Sequence, residues 1–133
     1  MILGIGLDLC EVERIRRLLE KDRDRFVRRV YRRAEIAYCD ARRRPELHYA
    51  ARFAAKEAFF KALGGGWRLG WTQVEVARNP WGKPDLVPDG KAAEAASRRG
   101  VRRIHLTLTH TSETAAAVVV LEGESGGGEE EGS

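Results

Sequence analysis

The sequence predicts a single α+β domain with a mostly antiparallel sheet, one long central helix and several short helices. The chain has 133 residues, 43% of them hydrophobic, which suits one domain with a well-formed core. One window, residues 49–66, has a strongly helical composition. The other elements follow the order strand, helices, long helix, hairpin, helix and two strands. That order lacks the strict alternation of a doubly wound sheet and indicates the α+β class.

The predicted central helix covers the segment YAARFAAKEAFFKALGGG at residues 49–66. It is rich in Ala, contains no Pro and ends in three glycines, which commonly terminate helices. Apolar side chains surround it almost completely, as in a buried helix. Lys56, Glu57 and Lys61 interrupt this pattern. Two interpretations remain open: a structural ion pair between Glu57 and Lys61, one turn apart, or a cleft in which these charges act on an anionic ligand.

The chain before this helix begins with a predicted strand over residues 1–9, buried and apolar. Gly4 and Gly6 within it indicate that another backbone approaches closely. Asp8 lies at the end of the strand. It can be the N-cap of a helix that runs to about Lys21, or a functional carboxylate.

Between that helix and the central one, residues 24–43 form an amphipathic, arginine-rich stretch. We expect two short helices, broken near Arg33, and Pro45 then breaks the chain before the central helix.

The second half of the chain is mainly strands. The pattern predicts a hairpin of two strands at residues 71–77 and 83–87 and a short helix at residues 90–100. Two final strands are predicted at residues 102–109 and 114–121. Residues 1–122 are therefore expected to form the domain. Residues 123–133 contain no apolar side chain and predict a disordered acidic tail.

The charge of the chain is unevenly distributed. The net charge is +4, yet residues 14–44 carry thirteen Lys or Arg against five acids. Such a stretch attracts a polyanionic partner, which can be nucleic acid, an acidic protein or a phosphorylated small molecule.

The expected environment is the cytoplasm. No apolar run approaches the length of about 20 residues that a membrane span needs, and the first residues do not resemble a signal peptide. Cys10 and Cys39 fit neither a disulfide framework nor a metal-binding pair, so we expect reduced thiols in a soluble protein.

Several kinds of active site are excluded by their missing motifs. The sequence has no phosphate-binding loop, no complete dinucleotide fingerprint, no zinc-ligand spacing and no evident catalytic triad. Two carboxylates remain as candidates, Asp8 and Glu57, with the basic Lys56 and Lys61 close to them. Two carboxylates with neighbouring ammonium groups can form an oxygen-donor site for Mg²⁺ that also accepts a diphosphate.

Four segments together resemble one family. GIGLDLCEVERI, RFAAKEAFFKALGGG, the turn GKP and LTLTHTSETAAAVVVLE are similar to segments of the holo-[acyl-carrier-protein] synthases, small bacterial 4′-phosphopantetheinyl transferases. The resemblance covers residues 1–122. It implies transfer of the phosphopantetheine arm of coenzyme A to a serine of apo-acyl carrier protein, leaving adenosine 3′,5′-bisphosphate, in fatty acid biosynthesis. It also implies Mg²⁺ and a homotrimer with sites at subunit interfaces, and no nucleic acid or membrane partner.

The resemblance implies roles for individual residues. Asp8 and Glu57 would hold the metal, Lys61 would supply a second cation, and Glu57, with Asp8 as the alternative, would accept the serine proton. The implied coenzyme A contacts are Arg52, Lys56, Gly64, Gly65, Gly66, Lys83, Pro84, His110 and Thr111. The implied carrier-docking residues are Arg14, Leu18, Arg25, Phe26 and Arg29. A nucleic-acid-binding module and a magnesium-dependent phosphohydrolase remain the alternative functions.

Overall fold

A computed structural model describes residues 1–65 and 69–124 of the chain. The strands are β1 (Ile2–Glu11), β2 (Val74–Arg78), β3 (Pro84–Pro88), β4 (Val101–His110) and β5 (Thr114–Gly123), and the helices are α1 (Val12–Val30), α2 (Arg33–Asp40), α3 (Pro45–Ala62) and α4 (Gly90–Arg98). The predicted α+β class is confirmed: β1, β5 and β4 form an antiparallel sheet in that order, and β2 pairs with β3 in a hairpin. The expectations for Gly66 and for residues 125–133 lie outside the described residues.

Helix α3 forms the centre of the core and packs against β1 and β5. Nearly its whole circumference is buried, as the sequence predicted. The helix begins at Pro45, well before residue 49, because proline lacks an N–H group and suits the first turn of a helix. The residue expected to break the chain therefore starts the helix. Gly64, with a φ of 89°, follows its C-terminal end.

The two glycines of β1 allow this strand to touch the backbone of α3. A Cβ atom on Gly6 would lie 1.9 Å from the carbonyl oxygen of Ala58, and one on Gly4 would lie 2.1 Å from that of Ala62. No side chain fits at such distances. The close backbone approach expected from the glycines is confirmed.

The other face of β1 corrects the prediction of a fully buried strand. Ile5, Leu7 and Leu9 are 64%, 56% and 64% exposed. Side chains alternate across a strand, so the glycines, Asp8 and Cys10 face α3 while these apolar residues lie on the outer face of the sheet. An apolar run in the sequence does not show which face is covered.

The N-terminal helices differ from the prediction mainly at the expected end of the first helix. Helix α1 continues to Val30, but Asp22 within it has non-helical angles (φ −158°, ψ 83°), so the predicted end near Lys21 is a kink. Helix α2 begins at Arg33, where the sequence predicted the break. No helix among the described residues is both long enough and apolar enough to cross a lipid bilayer.

Candidate active site

The carboxylate of Asp8 lies on the inner face of β1 and is only 8% exposed. Lys61, on α3, donates hydrogen bonds from Nζ to Asp8 Oδ1 at 2.7 Å and to the carbonyl oxygen of Leu7 at 3.2 Å. The interpretation of Asp8 as a helix cap is wrong. The N-cap of α1 is Glu11, and no side chain caps that helix.

Glu57 lies beside Asp8, one turn before Lys61. Burial raises its pKa to about 7, and the neighbouring Asp8 carboxylate adds to this effect. Two ionised carboxylates can only accept hydrogen bonds, so their contact needs a proton or a cation between them. The ion pair expected between Glu57 and Lys61 is replaced by the pair of Lys61 with Asp8.

The two carboxylates fit a hard divalent cation such as Mg²⁺. Asp8 Oδ2 is buried and has no hydrogen-bond partner within the described residues, so it is free to act as a ligand. Residues 1–65 and 69–124 contain no group of three or more His, Cys, Asp or Glu side chains that could hold a metal ion. Most of an octahedral shell would therefore come from water and ligand oxygens, as is usual where Mg²⁺ binds together with phosphates.

Lys56 is not part of this cleft, which corrects its expected place among the coenzyme A contacts. Its side chain is 0% exposed, and Nζ donates to Glu35 Oε1 at 2.7 Å, to the carbonyl oxygen of Val30 at 2.7 Å and to that of Trp71 at 3.2 Å. All three N–H groups are thus used inside the protein. Sequence reasoning missed Glu35, although its spacing from the buried Cys39 on α2 signals an acid on a buried helix face.

Other expected cofactor contacts lie on the far side of α3 from Glu57. Arg52 precedes Glu57 by five positions, which turns its side chain about 140° around the helix axis. It is 3% exposed, with its guanidinium carbon 4.2 Å from the ring centre of Tyr38. His110 ends β4, the strand at the opposite edge of the sheet from β1.

The loops that carry the remaining contacts are well defined by hydrogen bonds. Thr111 Oγ1 accepts from the backbone N–H groups of Glu113 and Thr114 at 3.1 and 3.0 Å, so this hydroxyl holds the turn together. Lys83 is exposed, and its backbone N–H donates to Asn79 Oδ1 at 2.9 Å in the hairpin that leads to Pro84. Gly64 and Gly65 have positive φ angles directly after α3.

Four of the five expected carrier-docking residues share one groove at the kink of α1. Leu18, Arg25, Phe26 and Arg29 line it, together with Lys21 and Asp22. The half-buried Leu18 and Phe26 lie among the exposed basic side chains of Lys21, Arg25 and Arg29, which is the composition of a protein interface for an acidic partner. Arg14 lies apart from the groove, with its guanidinium carbon 5.3 Å from the ring centre of Phe53.

Comparison with known proteins identifies the family. A family model described as the 4′-phosphopantetheinyl transferase superfamily matches residues 4–119, which include Asp8, Glu57 and Lys61. The chain belongs to this superfamily. The match spans all five strands but for the first two residues of β1 and the last four of β5, so the transferase domain accounts for nearly all of the described fold.

Individual relatives of this transferase agree with that assignment. The holo-[acyl-carrier-protein] synthase of Anaeromyxobacter dehalogenans strain 2CP-1 is 54% identical over 126 residues, covering 92% of this chain and 98% of the relative. The crystal structure of the Neisseria meningitidis holo-[acyl-carrier-protein] synthase superposes with a TM-score of 0.83 at 34% identity, covering 92% of this chain and 99% of that one. A holo-(acyl-carrier-protein) synthase from Bacillus anthracis, solved in complex with CoA (3′,5′-ADP), gives a TM-score of 0.75 at 34% identity, covering 93% and 99%.

Proposed function

We propose that this protein transfers the 4′-phosphopantetheine arm of coenzyme A to a serine of apo-acyl carrier protein, in support of fatty acid biosynthesis in the cytoplasm. The products are the holo-carrier and adenosine 3′,5′-bisphosphate. The observation that carries the proposal is the meeting of Asp8, Glu57 and Lys61 where α3 crosses β1. The synthases described above share the fold and the length of this chain.

The reaction needs a base, because a serine hydroxyl is a poor nucleophile at neutral pH. The serine oxygen attacks the phosphorus that bears the pantetheine arm, the bond from that phosphorus to the bridging oxygen breaks, and the serine proton must leave. A general base works best when its pKa lies near the operating pH. Glu57, whose pKa is raised to about 7, fits this role, and Asp8 remains the alternative.

Positive charge at the site would come from two sources, Lys61 and a bound divalent cation. Lys61 holds Asp8 Oδ1 at 2.7 Å and keeps about half of its side chain exposed, so its ammonium can also face the leaving diphosphate. Asp8 and Glu57 would hold Mg²⁺, which when bound supplies charge neutralisation on the diphosphate oxygens. Lys61 pairs with Asp8, and Glu57, whose pKa is raised to about 7, exchanges its proton.

We assign carrier docking to the groove at the kink of α1. Acyl carrier proteins are expected to be acidic, and Arg25 and Arg29 flank the apolar side chain of Phe26 in this groove. Arg29→Glu is expected to raise the KM for the carrier about tenfold or more while leaving coenzyme A affinity unchanged. Arg17→Glu, on the same helix but outside the groove, is the matched charge control. Equal effects of the two variants would contradict the assignment.

We also propose that the active protein is a homotrimer with its sites at subunit interfaces. The exposed outer face of β1, with Ile5, Leu7 and Leu9, is an apolar surface of the kind that a second copy covers. Asp8 and His110 lie at opposite edges of the sheet, and a head-to-tail ring of copies brings such edges together. Leu7→Asp is expected to give monomers in light scattering. A trimer that survives this change would place the interface elsewhere.

One assay tests the reaction itself. Protein, Mg²⁺, coenzyme A and apo-carrier are incubated, and the carrier is weighed by mass spectrometry. We expect it to gain the mass of phosphopantetheine, and we expect Glu57→Gln to abolish the gain. Release of phosphate without a carrier would instead indicate a phosphohydrolase. A gain unaffected by Glu57→Gln would remove Glu57 from the role of base.

A further inference from the structure

The kink at Asp22 divides α1 into two segments, and the groove assigned to the carrier is lined by both. Asp22 has non-helical angles, and its Oδ1 accepts a hydrogen bond from the backbone N–H of Arg25 at 3.4 Å, as an N-cap of the second segment. Leu18 lies before the kink and Phe26 after it, and both line the groove. The shape of the groove therefore depends on the angle between the two segments.

The first residue after the kink, Arg23, is tied to both neighbouring helices. Its guanidinium forms an ion pair with Asp40, the last residue of α2. The same group donates to the hydroxyl of Tyr49 on α3 at 3.4 Å, and that hydroxyl donates to Asp40 Oδ1 at 2.7 Å. Each of the three side chains thus contacts the other two. We name Arg23, Asp40 and Tyr49 the Arg23 clamp.

A second connection joins the tyrosine of the clamp to the groove. Phe26 packs edge-on against Tyr31 with 5.7 Å between ring centres, and Tyr31 packs against Tyr49 at 4.8 Å. The hydroxyl of Tyr31 also donates to the carbonyl oxygen of Tyr49 at 2.7 Å. Both tyrosines are buried, so these contacts have little freedom to rearrange. The second segment of α1 is therefore attached to Tyr49 at its first residue and again through Phe26.

We propose that Arg23, Asp40 and Tyr49 are positioning residues for carrier docking, which hold the second segment of α1 at the angle that the groove requires. The clamp lies outside the residues that line the groove, so it acts through Phe26 and the basic residues beside it. A groove that is already ordered binds its partner more tightly than one that must be ordered on binding. The inference rests on the proposed function, since the partner is the acidic carrier.

The sign of one substitution separates positioning from direct contact. Asp40→Asn removes a negative charge, which by itself favours an acidic partner. If Arg23 bound the carrier directly, the loss of Asp40 would release its guanidinium and lower the KM for the carrier. The clamp predicts the opposite. We expect Arg23→Gln and Asp40→Asn each to raise this KM about fivefold, with kcat and the KM for coenzyme A unchanged. Because the two residues act together, the double variant should be no worse than either single one.

Three further variants sharpen the test. Arg23→Lys keeps the charge and should restore most of the carrier affinity. Tyr49→Phe removes only a hydroxyl and leaves the charged pair in place, so it should raise the KM for the carrier about twofold. Arg16→Gln is the matched control. It removes the same charge from the first segment of α1, where Arg16 is 45% exposed in ion pairs with Glu13 and Glu20, against 42% for Arg23. It should leave the KM for the carrier unchanged.

Amide hydrogen exchange reports on the positioning itself. Exchange in residues 23–30 should become faster in Arg23→Gln and Asp40→Asn, and should stay as in wild type in Arg16→Gln. A lowered KM for the carrier in Asp40→Asn would overturn the inference, because it would indicate direct contact by Arg23. So would an unchanged KM in both clamp variants, or a raised KM without faster exchange.

The groove variant Arg29→Glu distinguishes failure of this inference from failure of the proposed function. If Arg29→Glu raises the KM for the carrier while the clamp variants do not, the docking groove stands and only the role of the clamp is refuted. A wild-type protein that does not modify the apo-carrier would overturn the proposed function, and the inference with it.

Discussion

Replacing Lys56 by methionine separates a structural role for this residue from the ligand contact that the sequence suggested. Its ammonium is fully buried, pairs with Glu35 at 2.7 Å and donates to two backbone carbonyls. Lys56→Met keeps the volume of the side chain but leaves the Glu35 carboxylate buried without its counter-charge. Breaking one partner of a buried pair costs about 3–5 kcal/mol. That is a large part of the roughly 5–15 kcal/mol by which domains are stable.

Urea unfolding of the wild type and the variant measures this cost. Arg102→Met is the matched control. Arg102 pairs with Glu124, but the two side chains are 68% and 71% exposed, so this ion pair contributes less than about 1 kcal/mol. Below its unfolding midpoint, Lys56→Met should bind 3′,5′-ADP within about twofold of wild type. A stability loss under about 1 kcal/mol, or a large loss of ligand affinity in folded protein, would refute the structural assignment.

Three further outcomes are expected. Glu57→Gln should stabilise the metal-free protein against urea by about 1 kcal/mol at pH 8, allowing for solvent screening. Because the pKa of Glu57 is raised in the folded protein, its ionised form opposes folding, and the gain in stability should shrink as pH falls from 7 toward 4. A gain that stays constant with pH would contradict this. Gly6→Ala should lower the thermal midpoint by ten degrees or more or prevent folding, because its methyl would lie 1.9 Å from the carbonyl oxygen of Ala58; a normal midpoint would contradict the packing. Partial burial raises the pKa of Asp40, but hydrogen bonds from Arg23 and Tyr49 outweigh this effect and lower it. Arg23→Gln should therefore cost under about 1 kcal/mol at pH 6, allowing for solvent screening, and the cost should disappear as pH falls and Asp40 becomes protonated. A cost that persists in acid would count against the pairing.

The sequence predicted the order and type of the elements because each has a strong local signal. Alanine-rich composition marked α3, alternation marked β4, and the Asn79 turn marked the hairpin. The sequence could not show which face of each strand is covered by other elements. Ile5 of β1 and Val119 of β5 are equally apolar, yet one is exposed and the other buried, because that depends on which side α3 occupies.

The site was predicted in part for the same reason. Asp8, Glu57 and Lys61 were selected by residue type and resemblance, and the structure brings all three together. Lys56 has the same chemistry as Lys61 and lies close in sequence. Only the rotation of about 140° between five helical positions places it among buried acceptors instead. The contact of Arg78 on β2 with Tyr38 on α2 joins two separate elements and has no local signal.

The meeting of Asp8 and Glu57 depends on a match between the repeats of a strand and a helix. Two residues of β1 advance about 6.7 Å, and four residues of α3 advance about 6.0 Å. Gly6 therefore rests on Ala58 while Gly4 rests on Ala62, four positions along the helix. The next inward residue of β1 is Asp8, whose Oδ1 accepts a hydrogen bond from Lys61 Nζ at 2.7 Å. A side chain at either glycine would separate strand and helix, so these glycines fix the distance between Asp8 and its two partners as well as the packing of the core.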